Sequence, residues 1–514
     1  MSRMRNVARG LISGYGFLAV NILYTIGSVP LALAYLSKEQ FGLWAVVTQI
    51  SGYFSLLDFG LSSSVGRFLI DYKDHPEDGA YGATIKTGIL VQIIQGLGIA
   101  LPGLALLFFL PDWLQISPNL RGPFYWLMGG QTLIAALGFP ARIFPLLLNA
   151  HQRMDLQNYA MIVSLISGFA GLWLGFACKL GIYSLLVGAF SSFAVLTLFN
   201  ALSCHFGRLF PAPHAWGRMT RARFREIFGY GVDVFFIGIG SQVVLSSQTI
   251  LISKTLGLDA AALWAVMTRA YTLVCQLAWR PIATSMPAFA EMQSRGEHGR
   301  LKERYSNSFV LLNVFAGYLA IVFAATNSQF TDAWTKGRFQ WPAINNWLLA
   351  IWMIEQTHVC SHNSLLLYLK RVGYLKYTYL LEGAVFVFLA FFVLPRWGIS
   401  GMLVCSILST GVFTMGYGTV QIQRLFQLSF KSIFTEWHLP FLKLCFMLLP
   451  FAFALDYFSR QWSSLVGFVI VVVSLCLVGF LFIVRYCLPK NLLVELSRRF
   501  NFFSSRWFAL LAAI

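Results

Sequence analysis

Charge is what this chain has least of. Asp, Glu, Lys and Arg make up 11% of its 514 residues, where a soluble domain carries about 25%. With hydrophobic residues at 57%, that scarcity excludes an ordinary soluble globule. Acid is scarcer than base: 20 Asp and Glu stand against 38 Lys and Arg, a formal net charge of +18. In a soluble chain such a surplus would suggest nucleic acid. Here it matches the Lys and Arg that cytoplasmic loops collect, so no nucleic-acid partner is expected. The eight cysteines include no C-x-x-C pair and most lie in apolar runs, which leaves neither a disulfide framework nor a cysteine metal site. No G-x-x-x-x-G-K-[ST] loop, G-x-S-x-G elbow or H-E-x-x-H helix occurs. ATP hydrolysis within the chain, serine hydrolysis and zinc proteolysis are therefore not expected, nor is any cofactor or enzyme activity.

What is abundant is apolar runs of membrane-crossing length. Fourteen spans read as 11–36, 41–62, 84–110, 124–148, 157–178, 182–203, 229–255, 260–287, 306–326, 343–368, 374–394, 398–422, 440–457 and 464–486. The first is too long for a signal-peptide core and is expected to be retained. With the N-terminus inside, 29 of the 38 basic residues fall in inner segments, 8 in outer ones, and Arg269 in mid-span. That bias predicts a multi-pass plasma-membrane protein with both termini cytoplasmic. No outer loop is long enough to fold as a domain.

The halves repeat. Gly14-Tyr15-Gly16 opens span one and Gly229-Tyr230-Gly231 opens span seven. Leu43-Trp44-Ala45-Val46-Val47-Thr48 in span two matches Leu263-Trp264-Ala265-Val266-Met267-Thr268 in span eight. Six spans per repeat is an even number, so the halves share orientation, and a cavity between them is expected. The expected fold is all-α, with two pseudo-symmetric six-helix lobes and two extra helices. Its parts are an N-terminal lobe (1–204), a basic cytoplasmic linker (205–228), a C-terminal lobe (229–424), helices thirteen and fourteen (440–486) and a cytoplasmic amphipathic tail (487–514).

Span eight carries Arg269 and Arg280, 11 positions apart and hence within about 20° on one helical face. An arginine at the bilayer centre costs about 2.5–3.5 kcal/mol on insertion scales, so the pair should face protein or water. The guanidinium of Arg269 matches phosphate in shape and charge; the alternative is a structural arginine bound to carbonyls or a carboxylate. Arg280, before Pro281, is either a second station on the same wall or a snorkelling anchor. The repeat sets Gln49 against Arg269. Arg142, between Pro140 and Pro145, has the same two readings as Arg280. The in-span carboxylates singled out are Asp58, Asp233 and Glu355: each could bind a coupling proton or cation, or pair an arginine. Glu355, His358 and His362 share a face of span ten. The E-x-x-H spacing has no second copy for a di-iron site, so no metal is expected. A polar face lining the cavity, with His358 as a proton relay, is preferred, and the alternative is a merely satisfied histidine stripe.

The opening GYGFLAVNILYTIGSVPLALAYLSKEQFGLWAVVTQISGYFSLLDFGLSSSVGRF, with its Pro30 span, Phe41-Gly42-Leu43-Trp44 and Leu57-Asp58-Phe59-Gly60-Leu61, resembles bacterial polysaccharide flippases. These belong to the multidrug, oligosaccharidyl-lipid and polysaccharide exporter superfamily. The resemblance implies two lobes in a V around a cationic cavity. It implies that the protein moves an undecaprenyl-diphosphate-linked oligosaccharide from the cytoplasmic to the periplasmic leaflet, for O-antigen, capsule or exopolysaccharide. Membrane lipids are expected partners, as are a polysaccharide polymerase and glycosyltransferases. The rivals are a cation-coupled drug exporter of the same superfamily and a membrane-embedded polymerase or ligase. The first is disfavoured by few carboxylates, the second by the absence of a large outer loop.

Overall fold

The computed structural model describes residues 2–54, 58, 60–73, 79–151, 153–369, 371, 373–459 and 461–487, and no strand occurs among them. They form two compact units, Met1–Ala265 and Val266–Ile514. The division falls later in the chain than the repeat's second opening at Gly229.

The first unit contains α1 (Ser2–Tyr35), α2 (Lys38–Tyr53), α3 (Leu61–Tyr72), α4 (Ala80–Trp113) and α5 (Pro118–Ala141). It continues through α6 (Ile143–Ala150), α7 (Met154–Ala177), α8 (Ser184–Phe206) and α9 (Arg221–Leu256); α10 (Leu258–Met267) carries the chain into the second unit. Ser37 starts α2 by a reciprocal cap: its Oγ accepts from Gln40 N and its own N donates to Gln40 Oε1, each at 3.1 Å. That satisfies two of the amide donors a helix start leaves open. Close approach is bought with small residues. Gly171 and Gly175 of α7 meet Ser191 and Ser184 of α8, where an added Cβ would lie 2.6 and 2.8 Å from the serine atoms. Without a hydrophobic drive between helices in lipid, such contacts are what hold neighbours together. Gly42, in the Phe41-Gly42-Leu43-Trp44 motif, lies against the Leu258 carbonyl in the same way. The basic linker is tied to α4: Tyr81 Oη donates to Leu209 O at 2.9 Å, Lys86 Nζ to Gly217 O at 3.2 Å, and Lys86 lies 5.7 Å from the Trp216 ring.

The second unit contains α11 (Arg269–Ser294), α12 (His298–Thr335), α13 (Ile344–Tyr368) and α14 (Leu375–Thr410). A π-helical turn (Gly411–Met415) leads to α15 (Gly416–Phe426). Then come α16 (Phe430–Ser432), a second π-turn (Ile433–His438), α17 (Leu439–Ser459) and α18 (Ser464–Phe482).

Eleven helical stretches among the described residues are long and apolar enough to cross a membrane. One of them, Leu375–Phe426, has 52 residues, about 78 Å of helix against a hydrocarbon core of about 30 Å. It divides at Gly398, whose φ of 60° and ψ of −154° only glycine adopts readily. Counting its halves separately, and adding the short α2 and the more polar α13, recovers the fourteen spans. Several spans differ in detail from the sequence reading. Span two is not one helix: α2 ends at Tyr53 and α3 begins after Gly60, at φ 67°. Span eight is divided at Thr268. The tail beyond Cys487 lies outside the described residues.

Candidate substrate and coupling sites

The division of span eight sets the position of Arg269. α10 stops at Met267, and α11 begins at Arg269. The Met267 carbonyl accepts from Asn327 Nδ2 of α12 at 3.1 Å, and the same amide nitrogen donates to Asn346 Oδ1 of α13 at 2.8 Å. Asn327 is buried at 1% exposure, so the interruption is held from inside the unit.

From there α11 shows two faces. Tyr271, Cys275, Ala278 and Ile282 are buried. Tyr271 stacks on Trp352 of α13 with ring centroids 5.7 Å apart, and Trp279 Nε1 donates to Thr357 Oγ1 at 3.0 Å. Arg269, Thr272, Gln276 and Arg280, at i, i+3, i+7 and i+11, fall roughly opposite to that buried face at 100° per residue. The first three are exposed and Arg280 is half-buried. Both predicted arginines therefore stand on one stripe that points away from the unit's core. The sequence reading had not singled out Thr272 and Gln276; their signal was the helical spacing from Arg269.

Arg142 has different company. It stands where α5 gives way to α6, between Pro140 and Pro145, neither of which can donate a helical amide. Gly96 of α4 packs against the Ala136 carbonyl, the one that Pro140 leaves without its i+4 donor. The Arg142 guanidinium lies 3.8 Å from the Phe139 ring centroid and donates to Asp58 Oδ1 at 3.0 Å. Ser62 Oγ also donates to Asp58 Oδ1, and Gln95 Nε2 donates to the Asp58 backbone carbonyl at 2.7 Å. Two of the predicted residues, Asp58 and Arg142, thus meet as an ion pair that pins the interruption of span two to α5 and α4. Gln49 is half-buried on α2, in a continuous part of that helix. Asp233 lies on α9, and its side chain is outside the described residues.

On α13, His358 and His362 are buried at 3% and 0% exposure. His358 Nδ1 donates to Ile354 O at 2.8 Å, and His362 Nδ1 lies 2.6 Å from Tyr305 Oη. Their neighbours are Phe309, Trp437 and His438, the last stacked on His358 at 5.3 Å. The histidines therefore sit in an aromatic core cluster. Glu355 is one helical turn away and half-buried, against Gly411 of the π-turn. Glu382 of α14, a carboxylate the sequence reading missed, is hydrogen-bonded to Thr410, the residue before Gly411. Glu382 is 3% exposed and accepts from Thr410 Oγ1 at 2.7 Å; Thr410 in turn accepts from Trp352 Nε1 at 3.2 Å. A π-turn leaves the regular hydrogen-bond ladder and frequently marks a functional position.

The sequence profile of a family described as "Polysaccharide biosynthesis protein" matches residues 8–293, more than half of the chain. The chain belongs to the polysaccharide biosynthesis protein family. The matched segment includes Asp58, Arg142, Arg269 and Arg280. No curated protein matches. Among solved structures, an inward-facing multidrug resistance MATE family transporter of the MOP superfamily is 12% identical, with a TM-score of 0.65 over 81% of this chain and 99% of that one. A MOP superfamily transporter from Pyrococcus furiosus, described as having a binding pocket of reverse polarity, is 11% identical with a TM-score of 0.61 over 83% and 97%. An outward-facing MATE transporter is 10% identical with a TM-score of 0.60 over 83% and 97%. At these identities the likeness is one of fold: this polysaccharide biosynthesis protein is a polytopic membrane protein whose fold is similar to that of those structures.

Proposed function

We propose that this family member flips a lipid-linked oligosaccharide, an undecaprenyl-diphosphate glycan, from the cytoplasmic to the periplasmic leaflet for surface polysaccharide assembly. The observation that carries the reading is the polar stripe of α11. Lipid would make that stripe costly, whereas a diphosphate headgroup in water would give Arg269 and Arg280 bidentate, charge-assisted partners. Arg142 and Gln49 are further candidates, although Arg142 is already engaged by Asp58. Beside the stripe, an apolar cleft of about 450 Å³ begins at Pro281 and Ile282 and runs along Leu311, Leu312 and Phe315 of α12 to Ile483. A prenyl chain could lie there while the headgroup stays wet.

The charge bias supports cytoplasmic termini, and the flippase reading implies a bacterial inner membrane. Alternating access would follow if bound substrate favours the occluded state, since equal affinity for all states shifts nothing. The Glu355–Glu382 pair beside the π-turn is the proposed seat of a coupling proton or sodium ion, with His358 behind it and Asp233 a further candidate; Asp58 would instead position Arg142. A deletion strain, assayed with a leaflet-restricted glycan probe, should accumulate lipid-linked oligosaccharide on the inner leaflet. Normal surface polysaccharide without that accumulation would refute the reading.

A further inference from the structure

The second unit has a cleft of about 340 Å³ where the C-terminal ends of α12 and α17 meet the N-terminal ends of α13 and α18. Its walls combine indole faces, carboxylates and amides: Trp341, Trp462, Asp332, Asp456, Gln329 and Gln340 line it. In a chain with almost twice as many bases as acids, no Lys or Arg lines it among the described residues.

The walls are set in place by hydrogen bonds. Trp341 Nε1 donates to Asn346 Oδ1 at 3.0 Å, and Asn346 Nδ2 donates to Ser328 Oγ at 2.7 Å, which orients the indole. Asp332 accepts from Gln340 Nε2 at 3.2 Å on one oxygen and from Ser464 Oγ on the other. Trp462 remains 48% exposed, so its face is available. Met267 belongs to the same lining, so the cleft reaches the interruption of span eight, two residues from Arg269.

The lining selects among ligands. Two carboxylates repel a phosphate or an acidic sugar. A lipid chain has no use for carboxylates and amides, which would lose water without gaining a partner. A sugar ring matches both parts: apolar C–H faces for the indoles, and hydroxyls that can donate to carboxylates and exchange hydrogen bonds with amides. The volume is at the small end of the ~300–1,000 Å³ of small-molecule sites, room for a short saccharide and not a long chain.

We propose that this cleft binds a neutral or amino-bearing sugar of the transported glycan, on the outer face that the charge bias assigns to Arg338 and the α12–α13 connection. The proposal rests on the flippase reading for the source of the sugar, but the cleft can be tested without transport. The full chain in nanodiscs would be given the free reducing oligosaccharide, stripped of diphosphate and lipid, and followed by saturation-transfer NMR. Wild type should transfer magnetisation to the sugar. Trp462→Ala and Asp456→Asn should each weaken the apparent affinity about tenfold, while Trp462→Phe, which keeps an aromatic face, should retain most of it. Asp456→Asn changes shape very little and serves if Trp462→Ala fails to fold. No transfer to wild type, or undiminished transfer in the folded variants, overturns the cleft assignment. Sugar binding that depends on Trp462, in a protein whose deletion traps no lipid-linked glycan on the inner leaflet, leaves the cleft standing and overturns the flippase.

Discussion

Arg269 is the residue whose replacement separates a structural from a substrate-binding role. Its side chain lies on the face of α11 that points away from the core, so shortening it leaves the Tyr271–Trp352 packing intact. Arg269→Ala should abolish glycan export, with membrane protein levels near wild type by immunoblot; Arg269→Lys keeps the charge, loses the planar fork and should retain partial export. Export undiminished at normal expression would remove Arg269 from the site. Arg142 and Asp58 should behave differently. Their side chains are 35% and 18% exposed, so the pair lies between the ~0–1 kcal/mol of exposed bridges and the ~3–5 kcal/mol lost when a buried pair is broken. Arg142→Ala and Asp58→Asn should each lower thermal stability in detergent, and the double variant should cost less than the sum of the two. Additive losses would show that the pair has no coupling. The arginines were legible in the sequence because a guanidinium in an apolar run is conspicuous without any partner. Glu382 was not, because Thr410, the partner that gives it a place, lies 28 positions further along the chain.

At the scale of elements, hydropathy shows where helices run but not where they are interrupted. The α5–α6 junction was readable, since Pro140 and Pro145 remove two amide donors. The interruption at Thr268 has no proline or glycine beside it; its cause is Asn327, some 60 residues downstream, reaching the Met267 carbonyl. Asn327→Leu should therefore leave that carbonyl buried without its donor, a loss of about 1–3 kcal/mol. Export should fall further than stability alone explains, because Arg269 loses the geometry that the interruption sets. The measurement is export normalised to folded protein, by fluorescence-detected size exclusion. Normal export per folded molecule would mean that the interruption has no part in positioning Arg269.

At the scale of the whole chain, α17 and α18 lie outside the six-plus-six repeat of the sequence, yet they complete one of the buried clusters of the second unit. Leu444, Leu448, Val471 and Leu475 form one buried cluster with Val314, Ile321 and Ala325 of α12. Phe441 fills the notch at Gly317, and Asn313 Nδ2 donates to Trp437 O at 3.2 Å. Burial of a Leu or Val side chain contributes about 1.5–3 kcal/mol in water; in lipid the same contacts act through packing alone, and the polar Asn313 would be left facing hydrocarbon if they were removed. A chain truncated after Gln427 should consequently be degraded or aggregate, and should not persist as a twelve-helix transporter. The charge tally gives an expected orientation for that core. With 29 basic residues assigned inside and 8 outside, reversing the chain would place most of them on the wrong face. In a background with the eight cysteines replaced, Ala212→Cys in the linker and Arg338→Cys between α12 and α13 should label with opposite preference. A membrane-impermeant maleimide should reach Arg338→Cys in intact cells and Ala212→Cys only after lysis. The reverse pattern would put the saccharide cleft on the cytoplasmic face, where it would select the glycan before transport and could not receive it afterwards.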